Sequence, residues 1–296
     1  MMDFRIETFL AICEAKSYTK AAEKLCITQP AVSQHIKYLE DRFRARLFKS
    51  SGRQFALTEA GLLLYRYASA AQSEGKKVEA MLMSGEISVP LRIGATRTIG
   101  EYVVPPALGA YLRARPEAQV SMIVDNTAVL LRRLAEGSID FALIEGIFQR
   151  KDFETAVFLR DALILVCPPD DPLAGKEAGL GELLGRRLIL REQGSGSRLV
   201  LENALAGLNA SIADFGQTLE LGNIGVMKAM VAEGLGVAFL YERSARADVE
   251  SGRLGTIGLR DFAVAHDFSF VYQKDSLFEA SYRDFLGFVI RSSGAA

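Results

Sequence analysis

Residues 28–40 read Thr28-Gln29-Pro30-Ala31-Val32-Ser33-Gln34-His35-Ile36-Lys37-Tyr38-Leu39-Glu40. Thr28 is the kind of residue that caps a helix. Pro30 fits the first turn, where its missing N–H has no helical partner to lose. Val32, Ile36 and Leu39 recur at i, i+4 and i+7, which predicts a helix near 29–41 with one buried stripe. The opposite face carries Gln29, Ser33, Gln34 and Lys37. Gln pairs bidentately with adenine, Ser reaches several bases and Lys meets phosphate, so a major-groove helix needs such a face. A solvated surface helix can carry the same residues, and the flanking sequence must separate the two readings. His35 has no partner ligands at metal spacing and reads as partly solvated.

Upstream, Phe4, Phe9, Leu10, Ile12 and Cys13 recur at helical spacing and predict a helix near 3–15, with Cys13 as a small core residue. Ser17 or Thr19 can cap a second helix whose Ala21, Ala22 and Leu25 face inward. Downstream, residues 47–58 form two short extended runs around Ser50-Ser51-Gly52-Arg53, a small hairpin or wing. Arg53 at its tip is placed to reach phosphate or the minor groove.

The chain of 296 residues is 49% hydrophobic and carries 35 Lys and Arg against 36 Asp and Glu, a net charge of -1. Taken whole, that argues against a basic coat protein for nucleic acid and against a disordered acidic tail. The charge is uneven, however. Residues 1–85 hold 13 basic and 9 acidic side chains, and residues 16–53 hold 9 against 3. That excess coincides with the helix and wing above and marks a phosphate-facing surface. Length predicts two domains. Cys13, Cys26 and Cys167 have neither metal-ligand spacing nor the pattern of a disulfide framework. The N-terminus lacks a basic region before an apolar core, and no apolar run is long enough to span a membrane. A cytoplasmic protein with no membrane partner is expected.

The family resemblance rests on Phe9-Leu10-Ala11-Ile12, on Ser17 through Leu25, on Thr28 through Ser33, on Ile36 through Glu40, and on Leu47-Phe48 with Leu57 through Gly61. Together these closely resemble the LysR-type transcriptional regulators. The resemblance implies an all-α winged helix-turn-helix over 1–60. It implies that Gln29, Pro30 and Ser33 meet bases, that Thr28, Lys37 and Arg53 meet the DNA backbone, and that Gln34 does either.

From Thr58 to about Ser84 the composition is helical, and Leu64, Ala68, Ala71, Gly75, Val78 and Leu82 form a heptad seam. Such a seam packs on its own chain or on a partner. The resemblance implies a second protomer, with residues 61–88 as linker helix and hinge. From residue 89 strand-like and helical segments alternate, which predicts an α/β fold with mainly parallel sheets. Asn223 through Ala238 and Leu134 through Leu143 extend the resemblance. It implies two Rossmann-like lobes of the periplasmic-binding-protein type II kind, one about 89–163 with 266–296, the other about 164–265. A ligand would lie between them.

Three polar loops open helices in this region: Thr96-Arg97-Thr98, Asn126-Thr127 and Gly194 through Arg198. Hydroxyls and free N–H groups at helix starts hold anions, and Arg97 adds a cation. The resemblance places Thr96, Thr98, Thr127, Ser195 and Asn223 at or near effector contacts. Plain N-capping is the alternative at each position. Enzyme readings find little support. No P-loop, no Gly-x-Ser-x-Gly elbow with a supporting His and no strand-borne dinucleotide fingerprint occurs. His266 and Cys167 read as structural. The expectation is therefore a non-enzymatic regulator with no cofactor beyond a small co-inducer, an anion. Its expected partners are a pseudo-palindromic site in double-stranded DNA, a second protomer of a homodimer or homotetramer, and RNA polymerase. A solute-binding or carrier protein and an α/β enzyme are the disfavoured alternatives.

Overall fold

The structure, a computed structural model, describes residues 3–49, 56–85, 89–148 and 153–294. The chain divides into two units, residues 1–87 with 135–138, and residues 88–134 with 139–296.

The first unit opens with α1 (Phe4–Ala15), α2 (Tyr18–Leu25) and α3 (Gln29–Phe43). Their starts are capped by side chains. Asp3 accepts from Arg5 N, Ser17 rather than Thr19 accepts from Lys20 N, and Thr28 accepts from Ala31 N. Phe9, Ile12, Ala21, Val32 and Leu39 form one fully buried core. Each large side chain in such a core contributes about 1.5–3 kcal/mol by leaving water. His35 is tied into this packing, with Nδ1 2.9 Å from Thr8 Oγ1 and its ring edge-on to Phe4 at 5.0 Å. Glu40 closes the motif by accepting from Leu47 N at 2.8 Å and from Arg46 at 2.7 Å. Phe48 then pairs antiparallel with Leu57, and Lys49 N donates to Ala56 O at 2.9 Å. These are the base of the wing; its tip, with Arg53, lies outside the described residues.

α4 (Glu59–Ser84) runs from the Thr58 cap to Gly85, whose φ of 69° ends it in the left-handed region. The seam expected on this helix needs correction. Leu64 and Ala68 face the core of their own chain, Ala68 with no exposed surface. The outward apolar residues include Leu63 and Tyr67, 72% and 70% exposed, and then Ala71, Val78 and Leu82. Packing on the preceding helices takes up the first two positions of the predicted stripe, where Leu63 and Tyr67 face outward instead, while Ala71, Gly75, Val78 and Leu82 are exposed as expected.

The second unit begins with β1 (Leu91–Ala95), α5 (Arg97–Tyr102), α6 (Val104–Ala114), β2 (Val120–Val124), α7 (Thr127–Ala135), β3 (Phe141–Ile144) and β4 (Phe153–Cys167). There follow β5 (Glu177–Ala178), β6 (Arg187–Arg191), α8 (Gly196–Gly207), β7 (Gln217–Leu221), α9 (Ile224–Ala232) and β8 (Val237–Tyr241). The chain ends with α10 (Glu242–Glu250), β9 (Gly255–Leu259), β10 (Val264–Gln273) and α11 (Glu279–Ser293). The sheet order is β2-β1-β3-β10-β4-β8-β6-β7, with β9 against β4 and β5.

The pairing is mixed, not mainly parallel. Parallel strands make up the two flanks, β2-β1-β3 and β8-β6-β7. Between them β10 and β4 run antiparallel from Phe153 opposite Gln273 to Leu163 opposite Val264, because one strand leaves the first lobe and the other returns to it. Phe141 packs on Phe270, Tyr282 and Phe285 with ring centres 5.2–5.5 Å apart, so α11 completes the first lobe. Ile189, Met227, Val231 and Ala238 fill the second. The helix expected over 99–114 is broken at Val103, and α6 restarts with Pro in its first turn. β9, α10 and the first half of β4 carry too many polar residues and glycines to stand out in the sequence.

Candidate effector cleft and nucleic-acid interface

The outer face of α3 is built as its sequence requires. Val32, Ile36 and Leu39 are buried, which turns Gln29, Gln34 and Lys37 outward and exposed, with Ser33 half-buried beside them. Gln29 Nε2 donates to Ser33 Oγ at 3.0 Å, so the two groups form one polar patch near the helix start. Pro30 is exposed next to it. The Thr28 oxygen is spent on its cap, accepting at 3.3 Å, which leaves the hydroxyl hydrogen available to an outside acceptor such as phosphate.

In the second unit, loops far apart in sequence meet around one side chain that sequence reasoning missed, Glu145. It follows β3 and is 2% exposed. Thr98 Oγ1 donates to Glu145 Oε1 at 3.0 Å. Thr127 Oγ1 donates to the Glu145 carbonyl at 3.0 Å, and Thr96 Oγ1 accepts from Glu145 N at 3.3 Å. The other lobe closes over it at Gly196. A Cβ there would collide with the Glu145 carbonyl oxygen, and one on Gly146, whose φ is 105°, would lie 2.6 Å from Gly196 Cα. The backbones approach this closely only because both residues are glycine.

Burial raises the Glu145 carboxyl to about 7; the Thr98 hydrogen bond and the Arg191 guanidinium pull it down, and Asp161 pushes it up. Its Oε2 is buried without a hydrogen-bond partner, as are Tyr241 Oη and Arg97 Nε. Arg97 Nε lies 3.7 Å from Glu192 Oε1, which also takes two hydrogen bonds from Arg191. Arg97, the cation expected to draw an anion, thus already faces a carboxylate.

Of the predicted effector residues, Thr96, Thr98 and Thr127 converge on Glu145, and Arg97 stands beside them in the chain. Ser195 lies on the facing lobe, its Oγ 3.0 Å from Ser197 Oγ. Neither Thr96 nor Ser195 caps its helix with its side chain. Asn223 does: its Oδ1 accepts from Val226 N at 2.9 Å. A cavity of about 640 Å³ opens beside the junction, lined by Thr127, Ser195, Arg198, Leu131, Phe148 and Phe153 among others. Arg198 on its wall is held by Glu202 at 2.8 Å and Glu220 at 2.5 Å. The sequence signal for Glu145 is a carboxylate at the carboxyl end of an all-apolar parallel strand, where open α/β sheets place ligands.

Burial pushes the Cys13 thiol up to about 12 and that of Cys167 to about 11, away from the thiolate a nucleophile needs. Among the described residues no group of His, Cys, Asp or Glu is arranged to hold a metal ion, and no helix is long and apolar enough to cross a membrane.

Residues 5–62 match the bacterial regulatory helix-turn-helix protein model of the lysR family, and residues 84–293 match the LysR substrate binding domain. The HTH-type transcriptional regulator CysL of Bacillus subtilis (strain 168) is 32% identical over 270 residues, 90% of this chain and 89% of CysL. Full-length LysG from Corynebacterium glutamicum, solved with bound effector Arg, shares the fold. Its TM-score is 0.73 at 18% identity, covering 98% of this chain and 99% of LysG. The regulatory domain of Synechocystis PCC6803 CcmR in complex with 2-PG superposes with a TM-score of 0.62 at 23% identity, over 68% of this chain and 96% of that domain. With two adjoining models covering both units, a winged helix-turn-helix followed by a two-lobed α/β effector domain, this chain belongs to the LysR family of transcriptional regulators.

Proposed function

We propose that the chain binds a pseudo-palindromic site in double-stranded DNA as a dimer, and that a small effector with an anionic group, seated between the lobes, shifts that binding. Gln29, Pro30, Ser33 and Gln34 read bases in the major groove, and Thr28, Lys37 and Arg53 hold the backbone. The exposed polar patch on α3, standing on a buried stripe, carries this reading. Two protomers join along Leu63, Tyr67, Ala71, Val78 and Leu82 of α4, and two dimers form the tetramer that answers to RNA polymerase in the cytoplasm. The reading contains no catalytic step. LysG, solved with bound effector Arg, and the CcmR regulatory domain, solved in complex with 2-PG, support a small-molecule effector. An effector that favours one lobe arrangement changes DNA affinity by linkage, and DNA changes effector affinity by the same factor.

A gel shift on the gene's own upstream region tests the DNA reading. Replacing Gln29 and Ser33 by Ala removes base contacts that contribute roughly 1–3 kcal/mol each, so binding weakens about tenfold or more and sequence preference relaxes. Unchanged affinity and preference in the double variant would overturn it.

A further inference from the structure

The 640 Å³ cavity has two unlike walls. The first lobe supplies Leu131, Ile147, Phe148 and Phe153. Leu131, Phe148 and Phe153 rest on the buried core around Leu130 and Ile144 and are themselves only half-buried. Ile147 is 50% exposed, and Leu199, contributed by the second lobe, is 38% exposed. Apolar side chains gathered around one hollow stay in contact with water until a molecule with apolar surface displaces it. The second lobe supplies donors that are not spent. Arg198 uses Nε on Glu202, and Nη1 on Glu220 and on the Arg191 carbonyl. Its Nη2 and the side-chain amide of Gln193 donate to nothing among the described residues. Ser195 and Ser197 share one hydrogen bond between two hydroxyls, so the pair keeps a hydroxyl hydrogen for another acceptor. Glu202, on the same wall, is engaged by Arg198 Nε at 2.8 Å.

We propose that this cavity takes an amphipathic organic anion: a carboxylate whose oxygens accept from Arg198 Nη2, Gln193 and the serine pair, and whose alkyl chain or ring lies on Leu131, Ile147, Phe148, Phe153 and Leu199. This deepens the effector reading and rests on it. A bare oxyanion meets the donors but occupies a small part of the volume and leaves the apolar wall wet. A neutral molecule of the same shape covers that wall and leaves the guanidinium without a charged acceptor. Only a ligand with both ends uses both walls, and the volume is that of a site for an organic molecule.

Thermal unfolding of the full chain at pH 8 tests this with sulfate, with acetate, butyrate and hexanoate, and with hexanamide. Each step of two methylenes along the acids lowers the concentration needed for a given stabilisation about tenfold. Hexanamide is at least about tenfold weaker than hexanoate. Ile147→Ser combined with Leu199→Ser, both at exposed positions, brings hexanoate within about threefold of acetate and leaves the acetate response in place. If acetate or sulfate stabilises the chain but potency does not rise along the acids, the proposal is overturned and the effector reading stands. Equal potency of hexanamide and hexanoate overturns the anionic head, and an unchanged rise in the double variant overturns the assignment to this cavity. If neither sulfate nor any of the acids stabilises the chain, the effector reading falls and the proposal falls with it.

Discussion

The two units carry their function in opposite ways. On α3 the side chains proposed to read DNA point outward from a single helix, within nine residues of one another, and the buried stripe beneath them fixes their direction. In the α/β unit the hydroxyl residues proposed for the effector site are buried, and Thr96, Thr98 and Thr127 meet Glu145 only after strands and loops far apart in sequence have come together. The first arrangement is set by helical period and caps, which are local. The second is set by strand order and by the approach of Gly146 to Gly196, which are not. Function on a surface is read from spacing, whereas function in a cleft depends on which loops the topology brings together.

The largest test of this contrast acts on the outward face of α4. Tyr67→Asp with Leu82→Asp places four charges in the seam of a dimer and should raise its dissociation constant about a thousandfold or more. Leu64→Asp should instead unfold the helical unit, because Leu64 packs on its own core. Sedimentation velocity and circular dichroism tell the two apart. If Leu64→Asp leaves a folded monomer, the assignment of outward and inward residues on this helix is reversed.

A smaller effect comes from Glu145. Its folded carboxyl titrates near 7 and an unfolded one near 4.5, so between these values the folded chain holds the extra proton. Stability therefore falls as pH rises through that window, by up to about 3 kcal/mol. Glu145→Gln should flatten this part of the stability profile and be the more stable protein at pH 8, as measured by urea titration at pH 5 and pH 8. A profile of the same slope in both proteins would show that the carboxyl does not titrate there.

The smallest is Asn223→Ala. Loss of its cap on α9 should cost about 1 kcal/mol and leave the response to small anions intact. A lost response with unchanged stability would return Asn223 to the effector site.

Much of this was legible before the structure. The caps at Ser17 and Thr28 and the buried stripe of α3 follow from residue type and spacing. So do the strands rich in Val, Leu and Ile. What was not legible had a physical cause in each case. β9 is short with two glycines in five residues, and α10 is a short, largely polar helix with few apolar residues to mark its buried face. The seam on α4 was displaced because one helix has two apolar sides, and the sequence does not say which meets its own chain. Glu145 was missed because its one signal, a carboxylate at the end of an apolar strand, does not separate a solvated group from a buried one until Thr98 and Gly196 arrive from elsewhere.

The pairing of β4 with β10 also sets an order in time. A chain leaves the ribosome from its N-terminus, and its domains fold as they emerge. The core of the helical unit, from Phe9 to Ala68, is complete early in synthesis. The first lobe is not, because its sheet awaits β10 and its face awaits α11, which follow it by more than a hundred residues in the chain. During translation the nascent protein therefore owns a DNA-reading surface before it owns a finished cleft, and a chain truncated near its end would keep the first without the control exerted by the second.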